Sequence, residues 1–238
     1  MFLPHDTNRQ QISECNVTFS DCPKYIAATD TFGNGKYYGH IAEEHPTFEV
    51  TVSGKAKTGL DIYEEYTDDS FISALFRVQT ELTYPGEKLK EYHKSLALDQ
   101  IPGVYEKALH IMRALNGSFS YASGVTEAHE SAEDAFSIGK GVCQDYAHIM
   151  LSLLREEKIP ARYAAGMMIG EGSSHAWVEV LCNGFWYGFD PTNNKLVDDD
   201  YIRVSCGRDS SDCAIIRGVF YGIAEQKQSE EVTVEENG

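Results

Sequence analysis

Gly139-Lys140-Gly141-Val142-Cys143-Gln144-Asp145-Tyr146-Ala147-His148 is the stretch on which the reading of this chain turns. Cys143, Ala147, Met150, Leu151 and Leu154 recur at helical spacing and stop before Ile159-Pro160, so a helix opens near the cysteine and carries it on the inner face of its first turn. A thiol in that place feels the positive end of the helix dipole and sits among amides that have no intrahelical acceptor, and both favour the thiolate. The same amides can donate to an oxyanion, worth about 3 kcal/mol per donor in enzymes that use one, and the Cys143 amide is the leading candidate. Gly139 and Gly141 permit a tight entry to the helix and a close approach of substrate, although an ordinary loop uses glycine just as readily. On its own, a cysteine on the inner face of a helix is core, so its partners have to decide.

The partners follow in chain order. Residues 175–180, His-Ala-Trp-Val-Glu-Val, alternate, which puts His175, Trp177 and Glu179 on one face of a strand. Asn183-Gly184 is a two-residue hairpin signal. With those two residues as the turn, Cys182 faces Phe185, and counting outward sets Trp177 against Asp190 and His175 against Thr192. Asp190 then shares a face with His175, one diagonal step away, whereas a slip of one residue would send it to the other face. A thiol, an imidazole and a carboxylate arranged in this way suggest nucleophilic acyl transfer, with Cys143 as nucleophile, His175 as base and Asp190 fixing the imidazole tautomer. Singly, His175 reads as a structural histidine and Asp190, before Pro191, as a turn former.

Outward from this centre, the chain up to about residue 85 alternates in period two, as in Phe48-Val50-Val52 and Phe76-Val78-Thr80-Leu82-Tyr84, broken by Gly33-Asn34-Gly35 and Ser53-Gly54. A small β-sandwich over residues 1–100 is the expectation. Val104, Ala108, Ile111, Met112 and Leu115 mark a helix that should stop at Asn116-Gly117 and open a second unit over 101–222. Runs at 163–169, 175–180 and 185–189 should form an antiparallel sheet packed on the cysteine helix. Residues 223–238 are acidic, lack apolar periodicity and are expected to form a flexible tail.

With 42% hydrophobic residues, the 238-residue chain can fill one large domain or two small ones, and two compact units are expected. A formal net charge of -17 argues against nucleic acid or an anionic membrane as partner. The N-terminus shows no charged segment leading into an apolar one, and no run approaches the roughly 18 apolar residues of a membrane span. The chain therefore reads as cytoplasmic. Cys15 and Cys22, like Cys206 and Cys213, lack the spacing of a zinc ribbon or a redox Cys-x-x-Cys, so they read as free thiols and no cofactor or metal is expected.

The runs 141–148, 159–163, 175–180, 189–193 (Phe-Asp-Pro-Thr-Asn) and 217–222 (Arg-Gly-Val-Phe-Tyr-Gly) together resemble bacterial transglutaminase-like proteins of the papain-like cysteine protease superfamily, over roughly residues 103–222. The resemblance implies an α+β papain-like core, with the cysteine helix packed on an antiparallel sheet behind the β-rich front half. It also implies a Cys-His-Asp triad carried by Cys143, His175 and Asp190. Gln144 stands where many relatives have arginine, a difference that bears on the charge around the thiol and leaves the chemistry in place. Trp177 fits the family pattern either as a wall of the cleft or as a core aromatic. Tyr121 occupies a position often aromatic in such proteins, where it assists the oxyanion or packs. His148 lies about 140° around the helix from Cys143 and reads as structural. Asp198-Asp199-Asp200 invites comparison with calcium-using transglutaminases, but its spacing is that of a solvated turn.

The chemistry implied is attack on a peptide or carboxamide carbonyl, giving a thioester that water or an amine resolves. Water makes a peptidase or amidase acting on a peptide or protein substrate, which is the leading expectation. An amine makes a protein-glutamine transglutaminase. A non-enzymatic binding module on the same fold is the alternative of a different class, and a zinc site built on Cys143 and His175 is a remoter one. Oligomeric state is not legible.

Overall fold

The computed structural model describes residues 1–21, 24–127, 129–219, 221–222 and 227–236; Cys22 and Phe220 lie outside them. The front half opens with strands β1 (Gln11–Phe19), β2 (Lys24–Thr29), β3 (Gly35–His40) and β4 (Val50–Lys57). β1 pairs antiparallel with β4 and β2 with β3, as two separate two-stranded ribbons whose residues are mostly exposed. The β character expected of this half is present up to Lys57. A strand over 76–84 is not: helix α1 (Ser70–Leu75) precedes a turn region there, and Val78 and Tyr84 are exposed while Phe76 is buried. Local capping and tertiary bonds override the alternation. Asp69 accepts from the amides of Phe71 and Ile72 to start α1, and the Phe76 carbonyl is taken by the Ala161 amide and the buried Arg155 guanidinium.

Helix α2 (Glu87–Ser95), a short 3-10 turn (Leu98–Gln100) and helix α3 (Val104–Ser118) come next. Leu89, Leu96 and Leu98 already belong to the main apolar cluster, so packing of the second unit begins ahead of residue 101. α3 runs through Asn116-Gly117 to Ser118, past the stop expected for it. The Asn116 side chain points away from a capping role and donates to the carbonyls of Pro191 and Thr192 at 3.0 and 2.9 Å.

Strand β5 (Ser120–Tyr121), helix α4 (Ala132–Ile138) and strand β6 (Lys140–Gly141) lead into helix α5 (Cys143–Glu156), whose first residue is the cysteine. β5 pairs with β6 in parallel, Tyr121 opposite Gly141. The remaining elements are β7 (Ala161–Met168), β8 (Gly170–Gly172), β9 (His175–Cys182), β10 (Phe185–Asp190), β11 (Lys195–Leu196), β12 (Tyr201–Gly207), α6 (Ser210–Cys213) and β13 (Val232–Val234). Five of the strands form one antiparallel sheet in the order β11-β10-β9-β7-β12. α5 packs on β9 and β7 and buries Ala147, Ile149, Met150, Leu151, Leu153 and Leu154 completely. The cysteine helix on an antiparallel sheet is the α+β arrangement expected.

β12 is an edge strand, and its free backbone is closed by side chains of the front half. Gln10 accepts from the Arg203 amide at 2.7 Å and donates to the Arg203 carbonyl at 2.8 Å. Asn34 does the same for Cys206, at 2.8 Å both ways. Two amide side chains thus stand in for a sixth strand and leave the edge unavailable for intermolecular pairing. Below them a buried charge cluster joins the halves: Arg162 binds Glu179 at 2.7 Å and Glu65 at 2.6 Å, and Arg203 binds Glu179 at 3.1 Å. Of the tail expected to be flexible, Val232–Val234 pairs with β8, whereas residues 223–226 and 237–238 lie outside the described residues.

Candidate active site

The β9–β10 hairpin turns on Asn183 and Gly184, both at positive φ, as a tight two-residue connection demands. Its pairs run from Phe185 opposite Cys182 to Phe189 opposite Val178, the register that places Asp190 on the His175 face. The His175 Nε2 and the Asp190 Oδ2 are 2.7 Å apart. With Nε2 committed to the carboxylate, Nδ1 is the nitrogen left for the Cys143 thiol, with which the ring also hydrogen-bonds. Burial disfavours the charged ring, yet the Asp190 bond and the Cys143 contact outweigh it and raise the His175 pKa to about 9.

Asp190 is fully buried and richly bonded. Its Oδ2 accepts from His175, from Asn193 Nδ2 and from the Tyr201 hydroxyl, each at 2.7 Å, and its Oδ1 accepts from the amides of Thr192 and Asn193. Burial would raise its pKa, but these donors, His175 foremost, hold it below the ordinary value. The Tyr201 phenol is pushed upward by burial and by the Asp190 charge, so it remains an O–H donor. Pro191 and Thr192, which follow the carboxylate, are pinned to α3 by Asn116.

The entry to α5 is fixed by Asp145. Its Oδ2 accepts from the Val142 amide and from Thr126 Oγ1, both at 2.7 Å, closing one of the orphan donors of the first turn. Burial raises its pKa against these bonds. Gly141 is required here, since a Cβ on it would stand 2.2 Å from Asp145 Oδ2. Cys143 itself is half-buried, and the β5–β6 pairing carries Tyr121 to the level of the residue two before it. The Tyr121 phenol is 61% exposed, and its pKa is raised first by burial and then by the nearby thiol, which places it at the open approach to Cys143.

Gln144, the second residue of α5, is half-buried beside the thiol. Trp177 departs from the cleft-wall expectation. It is fully buried, with its ring centroid 6.4 Å from that of His175 and 5.4 Å from that of Tyr201. The small residues Ala164 and Gly166 of the neighbouring β7 leave room for it behind the imidazole, so it backs the ring and does not line open space. His148 is buried, accepts from the Ser210 amide at 3.2 Å, and has its pKa lowered to about 4 by burial, so it is neutral and structural. In the Asp198-Asp199-Asp200 group the carboxylate oxygens lie within 4.8 Å of one another, and the Lys195 ammonium binds Asp198 at 2.9 Å and Asp200 at 2.8 Å, supplying their counter-charge. Cys206 and Cys213 are buried, unpaired thiols.

Tyr201, Asn193 and Asp145 are site residues that sequence reasoning passed over. Asn193 falls inside the quoted Phe-Asp-Pro-Thr-Asn run and Asp145 inside the cysteine motif, at the third helical position where a carboxylate closes an N-terminus, so both carried a signal. Tyr201 carried none, because it reaches Asp190 from the far edge strand.

Residues 94–191 match the family model described as the Transglutaminase-like superfamily. An uncharacterised protein of Mycobacterium leprae is 38% identical over 120 residues, which make up 46% of this chain and 43% of that protein, so the match spans less than half the relative's length. An uncharacterised protein of Mycobacterium tuberculosis is 26% identical over 250 residues, covering 92% of this chain and 79% of its own. Among solved structures, a candidate cysteine protease from Cytophaga hutchinsonii superposes with a TM-score of 0.72 at 22% identity, covering 96% of this chain and 88% of that one. The periplasmic domain of TgpA from Pseudomonas aeruginosa superposes with a TM-score of 0.50 at 16% identity, covering 81% of this chain and 70% of that one. At these identities the two structures speak for the fold. No helix among the described residues is long and apolar enough to cross a membrane. Residues 94–191 thus match the transglutaminase-like superfamily, and the fold built around the cysteine helix is shared with these solved bacterial structures.

Proposed function

We propose that the chain is a cysteine-dependent acyl-transfer enzyme acting as a peptidase or amidase on a peptide or protein substrate. The observation that carries this reading is the imidazole of His175 held between Asp190 and the thiol at the N-terminus of α5. In the first step the Cys143 sulfur attacks the carbonyl carbon, and the oxyanion is met by the Cys143 amide, which has no intrahelical acceptor, with the exposed Tyr121 phenol beside it. The C–N bond then breaks, and the His175 imidazolium gives its proton to the leaving amine. Water, deprotonated by the neutral imidazole, adds to the thioester and returns the thiol. Asp190 holds Nε2 throughout and keeps Nδ1 directed at the sulfur.

The acceptor is tested by incubating the protein with a glutamine-containing protein and a labelled amine. Release of fragments or ammonia without label supports hydrolysis, and incorporation of label assigns transglutaminase activity instead. If neither occurs and the Cys143 thiol alkylates at pH 6 no faster than a free thiol, the chain is a binding module. A cytoplasmic location is proposed on the unpaired thiols of Cys182, Cys206 and Cys213, and fractionation of cells tests it.

A further inference from the structure

β8 is fully exposed, and its one partner among the described residues is the chain's own β13. Val232 pairs with Gly172, Thr233 with Glu171 and Val234 with Gly170, antiparallel. Continuing that register backwards sets Glu230 opposite Ser174 and Ser229 opposite His175. The bond of 3.0 Å from Ser174 Oγ to Glu230 Oε2 is what this course requires. The tail thus meets Ser174, the neighbour of His175 in the chain, and then runs away from it along β8.

We infer that the β8 edge docks an extended peptide by main-chain pairing, taking the substrate residues on the leaving side of the attacked bond, and that residues 230–234 hold this edge in the free protein. The inference rests on the hydrolytic reading of Cys143 and His175. Direction is set by the tail: a peptide following it has its residue at His175, the donor of the leaving-group proton, and its next residues along β8. Chemistry is set by the edge. Gly170 and Gly172 have positive φ of 123° and 157°, and a Cβ on either would meet nothing within 4 Å, so recognition falls on backbone groups and tolerates varied side chains. The tail residues seated there, Val-Thr-Val, are β-branched and suited to an extended strand. A two-stranded ribbon of three residue pairs is marginal by itself, so an incoming strand can displace it.

Two measurements test this. A fluorescein-labelled peptide of residues 228–236, Gln-Ser-Glu-Glu-Val-Thr-Val-Glu-Glu, is titrated into the full chain and into a chain ending before Lys227. It should bind the shortened chain at least tenfold more tightly, and a full-length Thr233→Pro variant, which breaks the strand without shortening the chain, should move the same way. Next, cleavage is followed on internally quenched peptides with Val-Thr-Val on the leaving side and randomised acyl residues, and on aminomethylcoumarin amides of the same acyl residues, which have no leaving-side peptide. Shortening should raise kcat/KM about fivefold or more on the first set and leave the second unchanged, with the 228–236 peptide reversing the gain. Equal binding by both chains overturns the docking edge, and equal acceleration of both substrate sets overturns its assignment to the leaving side. Absence of cleavage from every substrate falls on the proposed reaction, and the binding measurement then decides the edge unaided.

Discussion

The Tyr201 hydroxyl donates to Oδ2 of Asp190 at 2.7 Å, the same oxygen that takes His175 Nε2. Each donor on that oxygen spreads its charge and so weakens the carboxylate's hold on the imidazolium proton. Tyr201→Phe removes one donor and keeps the ring packed on Trp177. The expected outcome is a kcat/KM about tenfold lower, from a less firmly oriented carboxylate, together with a basic limb of the pH profile displaced upward. A loss confined to the fraction of folded protein, with the limb unmoved, would show that the hydroxyl is merely structural.

His175 predicts the pH dependence itself. Its pKa is raised from 6.5 to about 9, so the imidazolium proposed to protonate the leaving amine persists through neutral pH and is lost as pH rises through about 9. The kcat/KM profile should therefore fall on its basic side near pH 9, a value belonging to the coupled thiol–imidazole pair. Stability follows the same sign. Because the folded-state pKa lies above the unfolded one, the contribution of His175 is complete below pH 6.5 and disappears as pH rises to about 9, which urea unfolding at pH 6 and pH 9.5 can read. A basic limb near pH 7 would mean that Asp190 and Cys143 do not hold the ring as charged.

Substitutions at the centre separate attack from orientation. Cys143→Ala should abolish turnover with little loss of stability, since it removes one half-buried sulfur at the margin of the main apolar cluster. Asp190→Ala should leave residual activity, because the carboxylate orients and does not attack, while shifting the basic limb downward as the ring loses its anionic partner. Steady-state kinetics with thermal melts on the same preparations checks both. Comparable activity of Cys143→Ala and the unaltered chain would remove the mechanism.

The parts of this site legible in the sequence are those fixed by local rules. Asn183-Gly184 sets the hairpin register, the register sets the face, and the face brings Asp190 to His175. Cys143 at the head of α5 follows from the apolar spacing behind it. What was not legible depends on chain segments distant in sequence. Tyr201 lies on β12, which joins the sheet beside β7 at the edge away from β10, so no count along the hairpin reaches it. Trp177 reads equally as a cleft wall or a core aromatic, and the small Ala164 and Gly166 of the neighbouring β7, with its complete burial, decide for the core. Residues 76–84 alternate in period two, yet Phe76 is claimed by Arg155 and Ala161 and the alternation finds no partner strand. α2 shows a single fully buried residue, Leu89, within a charged run, too narrow a stripe to announce a helix.

The closure of β12 by two side-chain amides makes the last prediction. Gln10→Ala leaves the amide and carbonyl of Arg203 without those partners, and Asn34→Ala does the same to Cys206. Each substitution should cost about 1–3 kcal/mol, the penalty for orphaned buried polar groups, and should lower the urea midpoint without changing the slope. Asn16→Ala on exposed β1, whose side chain donates to the carbonyl of Glu14 two residues away, should stay within about 0.5 kcal/mol of the unaltered chain. Because the free β12 edge is a template for another strand, both destabilised variants should also associate at high concentration, where light scattering would find them. Alkylation of Cys143 in the folded fraction of Asn34→Ala should keep its rate, since Cys206 lies five residues along β12 from Tyr201, the residue that bonds Asp190. Midpoints of Gln10→Ala and Asn34→Ala equal to that of Asn16→Ala would mean that water serves this edge as well as the amides do.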